Sequence, residues 1–127
     1  MLEKWHFYKI WCPELLPPHS KFCLCVSPEK RWFLFVNSSP AASRKARQFD
    51  VVLNNFQLAF LDHESYLPTA AIKTFYDDRV VEALKDPRNL LGPIPPSLKK
   101  QVLQLIANNP VLKDGEREMI LDGESLG

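Results

Sequence analysis

The sequence predicts a mainly β protein: a small barrel or strongly curled antiparallel sheet, with one amphipathic helix near the carboxy terminus over about 96–108. Three observations carry that expectation. Short runs of β-branched, aromatic and thiol side chains alternate with turn residues along the first two thirds of the chain. No glycine occurs before Gly92, so the turns there fall to Pro, Asn, Asp and Ser. Only Leu98, Val102, Leu105 and Ile106 form a sustained stripe at helical spacing.

In chain order, residues 5–11 read as a first strand, closed by Cys12 and Pro13, and Pro17 and Pro18 stiffen the loop after it. A central hairpin follows, with strands over 22–26 and 31–36 about a turn of Ser27, Pro28, Glu29 and Lys30. Both strands are apolar at nearly every position, which predicts cover on both faces. Residues 39–47 are a loop of small residues with three cations, and 49–53 is a short strand ended by Asn54 and Asn55. The run 56–61 fits a strand or a single helical turn. Strands are expected over 65–67 and within 69–75, with Pro68 marking an edge or bulge. Asp77 and Asp78 read as a turn, and 79–84 as a last short strand. Pro96 or Ser97 then opens the helix, which runs to Ala107 and stops before Pro110. One β-barrel-like domain over 1–112 and a polar tail over 113–127 result, the tail fraying or docking as a turn of helix.

Composition narrows the function classes. The chain has 127 residues, 46% of them apolar and 24% charged, with a net charge of +1. Bulk charge therefore points neither to nucleic acid nor to a membrane, and a nucleic-acid ligand would have to be held by local basic clusters. No apolar run approaches the roughly 20 residues of a membrane span, and the amino terminus lacks the apolar core of a signal peptide. Cys12, Cys23 and Cys25 are odd in number and lie in or beside apolar runs, which predicts reduced, buried thiols in a cytoplasmic protein. Without early glycines there is neither a phosphate-binding P-loop nor a dinucleotide fingerprint, and no cofactor or metal is expected.

Four constellations could carry chemistry. The hairpin places its two polar ends, His19, Ser20 and Lys21 on one side and Asn37 and Ser38 on the other, at the edge away from the turn. There Lys21, His19 and Ser38 offer a cation, an acid/base group and a hydroxyl, or are simply solvated strand ends. Arg44, Lys45 and Arg47 form an exposed basic loop that could track an RNA backbone. Asp62, His63, Glu64 and Ser65 gather at a strand entrance, as a capped turn or with His63 as a second substrate contact. Cys23 and Cys25 share one strand face, a spacing that suits buried apolar thiols better than zinc.

The order of segments resembles that of the small plasmid-maintenance toxins of the MazF/PemK type. The run from Lys21 to Ser27 stands where those toxins have Arg-Pro-Val-Leu-Val-Val-Ser. The run from Phe33 to Ser39 stands for their strand ending in Thr or Ser, and that from Ser65 to Thr74 for their Ser-to-Ile-Arg-Thr segment. The stretch from Leu91 to Ile106 stands for the final helix and its approach. The resemblance implies an SH3-like barrel, a homodimer, a protein antitoxin as partner, and metal-independent cleavage of single-stranded RNA by attack of the ribose 2′-hydroxyl. It implies Lys21 and Ser38 (or Ser39) as the catalytic pair, and the Arg44, Lys45 and Arg47 loop as part of the RNA groove. Two departures stand out: Lys21 replaces an Arg, and Pro17, Pro18, His19 and Ser20 replace a Gly-x-Glu-type loop. A barrel that binds protein or nucleic acid without cleaving it is the alternative.

Overall fold

The structure, a computed structural model, describes residues 1–125. Of the tail expected over 113–127, Leu126 and Gly127 lie outside the described residues. In chain order the strands and helices are β1 (His6–Cys12), β2 (His19–Ser27), β3 (Trp32–Phe35), α1 (Arg44–Arg47), β4 (Asp50–Leu53), β5 (Ser65–Pro68), β6 (Lys73–Thr74), α2 (Asp77–Leu84), β7 (Leu90–Pro93), α3 (Pro96–Ala107) and α4 (Asp114–Leu121). The chain forms two compact units. One joins Met1–Val36 to Lys73–Ile94, and the other joins Asn37–Ile72 to the chain from Pro95 onward.

The first unit is a five-stranded antiparallel sheet in the order β6-β3-β2-β1-β7, with α2 beside it. Its centre is the hairpin the apolar runs predict. Cys25 lies opposite Phe33 and Cys23 opposite both Phe35 and Tyr8. Side chains alternate across a strand, so Tyr8, Ile10, Cys12, Cys23, Cys25 and Phe33 line one face. They form a core with Phe75 and with Val80 and Ala83 of α2. Phe33 meets the rings of Tyr8 and Phe75 edge-on, at centroid distances of 6.4 and 5.2 Å, a favoured aromatic geometry. At the alternate positions, Leu24, Val26 and Leu34 are also fully buried, as the unbroken apolar runs require.

The turn between β2 and β3 works without glycine. Ser27 Oγ accepts from the Lys30 N–H, and Arg31 takes the left-handed φ of 54° that glycine usually supplies. Arg31 is fixed there by Phe75: its Nε donates to the Phe75 carbonyl at 2.9 Å, and its own carbonyl accepts from the Phe75 N–H.

Residues 79–84 correct the expected last strand: they belong to α2. Val80, Ala83 and Leu84 recur at helical spacing against the sheet, and Asp77 and Asp78 place negative charge at the helix start. β7 pairs with β1 where no strand is expected, and β6 shrinks to two residues. β2 starts at His19, three residues earlier than the apolar run suggests, because β1 offers a ladder as far as Cys12↔His19.

In the second unit β4 and β5 form a two-stranded antiparallel sheet, and α3 packs on β4 and α4. Leu98, Val102 and Ile106 of the expected stripe are buried, but Leu105 is only partly so and Leu103 takes its place in the core; the helix keeps its expected bounds. Residues 56–61 form turns rather than a strand, with Gln57 and Leu58 N–H groups donating to the Asn54 carbonyl. The tail docks more firmly than expected. α4 makes two turns, buries Ile120 completely, and is tied down by Arg117, which donates to the carbonyls of Asn109 and Leu112. Among the described residues the strands make these two sheets and no closed barrel; the architecture is antiparallel sheet with helices.

Candidate functional site

The start of β2 protrudes beyond the hairpin. Pairing with β3 ends at Cys23↔Phe35, followed by one bond from the Val36 N–H to the Phe22 carbonyl. His19, Ser20 and Lys21 therefore pair with β1 alone, through Cys12, Trp11 and Ile10. His19 and Lys21 are two residues apart on this strand and emerge on the same face.

Lys21 is half-buried at the end of the aromatic and thiol core. Its Nζ lies 5.5 Å from the Phe35 ring centroid, a cation–π contact. Burial lowers its pKa from the ordinary 10.5, partly opposed by the Cys23 and Cys12 thiols nearby. His19 is exposed, and its Nδ1 lies 2.7 Å from the Pro17 carbonyl oxygen. A carbonyl can only accept, so Nδ1 carries the hydrogen in the neutral ring and Nε2 keeps its lone pair. The strand thus presents a proton acceptor and a cationic proton donor on one face.

Lys73 of β6 reaches the same aromatic ring, its Nζ 5.9 Å from the Phe35 centroid. Phe75 packs against Phe35 at 5.7 Å. Phe35 does not stand out as a site residue in the sequence. Lys73 does so only as the counterpart of the arginine in the Ser-to-Ile-Arg-Thr resemblance, and the register that brings β6 beside β3 cannot be read from spacing. A shallow pocket of about 450 Å³ lies nearby, lined among others by Ser20, Trp11, Lys9, Asp78 and Arg79. Its charges are largely matched, since Arg79 pairs with Glu14 at 2.8 Å and Asp86 with Arg88.

The remaining expected site residues belong to the second unit. Ser38 is exposed, directly after Asn37, whose backbone exchanges two 2.8 Å hydrogen bonds with Tyr66. Arg44, Lys45 and Arg47 are exposed on the single turn of α1, which Ser43 caps by accepting from the Ala46 N–H. His63 is exposed before β5, with Asp62 Oδ1 3.6 Å from its Nε2 and Ser65 Oγ 3.4 Å from its Nδ1. That order of Asp, His and Ser resembles a hydrolase triad, but the proton positions forbid the chemistry. Nδ1 lies 2.9 Å from the Glu64 carbonyl and must donate to it, so it cannot take a proton from Ser65. The Ser65 hydroxyl is buried and donates to the His63 carbonyl instead.

Cys12, Cys23 and Cys25 are free and buried, as expected. Burial pushes all three thiols up, Cys25 to about 12, the opposite of what a nucleophilic cysteine needs. Among the described residues no cluster of His, Cys, Asp and Glu is arranged to hold a metal ion, and no helix is long and apolar enough to cross a membrane. No protein-family model matches the chain, and no curated protein matches it.

Proposed function

We propose that this is a toxin-like protein that binds single-stranded RNA at the start of β2 and cleaves it by attack of a ribose 2′-hydroxyl. In this reading the sheet of the first unit corresponds to the SH3-like barrel of the MazF/PemK type. A homodimer and a protein antitoxin complete a type II toxin–antitoxin system. The observation that carries the proposal is the pairing of His19 and Lys21 on one strand face, with Nδ1 of His19 tied to the Pro17 carbonyl.

Such cleavage needs a base, an acid and positive charge, and these two side chains supply them. His19 Nε2 takes the proton of the 2′-hydroxyl as its oxygen forms a bond to phosphorus. The bond from phosphorus to the 5′-oxygen breaks, and the Lys21 ammonium gives that oxygen its proton. The products are a 2′,3′-cyclic phosphate and a 5′-hydroxyl. Burial moves Lys21 in the direction that favours donation, because a less strongly held proton is transferred more easily. Ser38, Arg44, Lys45, Arg47 and His63 of the second unit are proposed RNA contacts in their own right.

Incubation with a mixed pool of single-stranded RNA in the presence of a chelator tests this. Fragments ending in 2′,3′-cyclic phosphate are expected from the unaltered protein, and none from a substrate carrying a 2′-deoxyribose at the cleaved position. RNA left intact by stoichiometric protein refutes the nuclease. Binding without cleavage then assigns the protein to the alternative, a nucleic-acid-binding module. One observation favours that alternative: a lysine lacks the planar fork with which arginine grips a phosphate through two parallel bonds.

A further inference from the structure

We propose that the open edge of β1 is a docking site for an extended segment of a partner protein, which adds there as a short strand antiparallel to β1 and in line with β7. The strand register exposes that edge. The Phe22 carbonyl accepts from the Val36 N–H and so points to β3, whereas the Cys25 carbonyl accepts from Trp5, in the segment leading into β1. Backbone groups alternate sides along a strand, so His19 and Lys21 turn theirs to β1, where Cys12 and Ile10 meet them. Trp11, between those two, therefore turns its N–H and C=O to the other edge. β7 pairs with that edge only as far as Tyr8↔Leu90, because the chain before Leu90 leaves it as the single turn Pro87–Asn89. Past that point no strand faces β1 among the described residues.

The edge borders the shallow pocket described above, which Lys9 and Trp11 line from β1 and Glu82, Ala83, Asp86 and Asn89 line from the chain beside it. All of these belong to the first unit. Trp11 is 52% exposed, so its ring offers uncovered apolar surface at the pocket. The charges around it do not call for an ion: Arg79 pairs with Glu14, Glu82 with Lys85 and Asp86 with Arg88, at 2.8 to 3.1 Å. What stays unmatched is an apolar ring beside a main-chain donor and acceptor, and an extended peptide presents the complement of both. Its residue opposite Trp11 exchanges two hydrogen bonds with it and sets a β-branched side chain beside the indole. Two residues on, the segment faces Lys9, which is exposed and in no ion pair among the described residues, so an acidic side chain fits there. A nucleobase also stacks on an indole. The Lys9 carbonyl, however, faces the same edge about 7 Å along the strand, a repeat that a second peptide residue matches and a single base does not.

This docking site goes beyond the RNA reading and does not depend on it. Amide hydrogen exchange on the full chain, followed residue by residue by NMR, tests it with the peptide acetyl-Thr-Val-Thr-Glu-Thr-amide. In the free protein the Trp11 N–H is expected to exchange at least about ten-fold faster than that of Ile10, which the β1–β2 ladder protects. The peptide is expected to slow Trp11 exchange in a saturable way. Methylating the valine nitrogen removes the donor to the Trp11 carbonyl without altering the protein, and is expected to weaken binding about ten-fold. Trp11→Ala, a change at an exposed side chain, is expected to weaken it about three-fold. A Trp11 amide already protected in the free protein, or no saturable slowing at millimolar peptide, overturns the proposal. So does equal binding of the methylated peptide, because adhesion to the ring alone needs no main-chain donor. If a short single-stranded RNA slows the Trp11 amide and the peptide does not, the pocket holds a nucleobase and the edge takes no strand.

Discussion

Two strand entrances in this molecule carry nearly the same residues and differ in what they can do. At the start of β2 stand His19, Ser20 and Lys21; before β5 stand Asp62, His63, Glu64 and Ser65. Each histidine is exposed, and each fixes its Nδ1 hydrogen on a backbone carbonyl, of Pro17 or of Glu64. The difference lies at the far side of the ring and two residues along the strand. His63 Nε2 faces Asp62, and the residue two positions on is a buried serine whose hydroxyl is already spent on a carbonyl. His19 is followed two positions on by a half-buried lysine whose proton is loosened by burial. Exposed histidines are common; a histidine sharing a face with a desolvated cation is the rarer arrangement. The lesson is that proton positions, which follow from the acceptor each ring nitrogen faces, separate a candidate site from a look-alike.

Substitutions at the two entrances test that contrast. The largest effect is expected from His19→Ala, which should lower RNA cleavage by about 10²- to 10⁴-fold, the usual contribution of a general base. His63→Ala should leave the rate within about two-fold, as expected of a group outside the acid–base pair. Equal losses from both would erase the distinction. Lys21→Met comes next. It keeps the apolar stem and removes both the charge and the transferable proton, so cleavage should fall by about 10²-fold or more.

The pH dependence of stability isolates Lys21 itself. Its folded pKa lies below the ordinary 10.5, so the folded state releases this proton before the unfolded state does. The contribution of Lys21 to stability is thus greatest above 10.5 and is lost as pH falls through the folded value. Lys21→Met keeps the apolar stem and removes the charge. Urea midpoints should show the variant gaining on the unaltered protein near neutral pH, with the gain shrinking as pH rises. The smallest effect is expected from Ser65→Ala, a loss of about 1 kcal/mol in urea unfolding from one buried hydrogen bond, with no change in cleavage.

Much of the fold was legible because it was written in local terms. The hairpin announces itself by two unbroken apolar runs around Pro28, and α3 by its stripe and its opening proline. Helix α2 was concealed by Val80 and Val81, β-branched neighbours that read as strand, although Asp77 and Asp78 are also a helix-start signal. Strand β7 was concealed by Gly92, Pro93 and the prolines after it. It forms because β1 offers a free edge, with Gly92 at a φ of 94°, and that edge is set by tertiary pairing. At the site, His19 and Lys21 were readable as the polar end of the hairpin but not as neighbours on one strand face, because the apolar run starts only at Phe22. The meeting of Lys73 with Phe35 was not readable, because the register of a two-residue strand against β3 leaves no periodic trace in sequence.

The three buried thiols carry a practical consequence for anyone who wishes to watch this molecule work. Cys12, Cys23 and Cys25 are shielded from solvent and poorly ionised, so a maleimide reagent should leave the native chain unmodified. A single Lys100→Cys change on the exposed side of α3 would then give one addressable position without removing any native cysteine. A fluorophore there could report the approach of RNA or of a second copy of the chain, with the core chemistry of the sheet untouched.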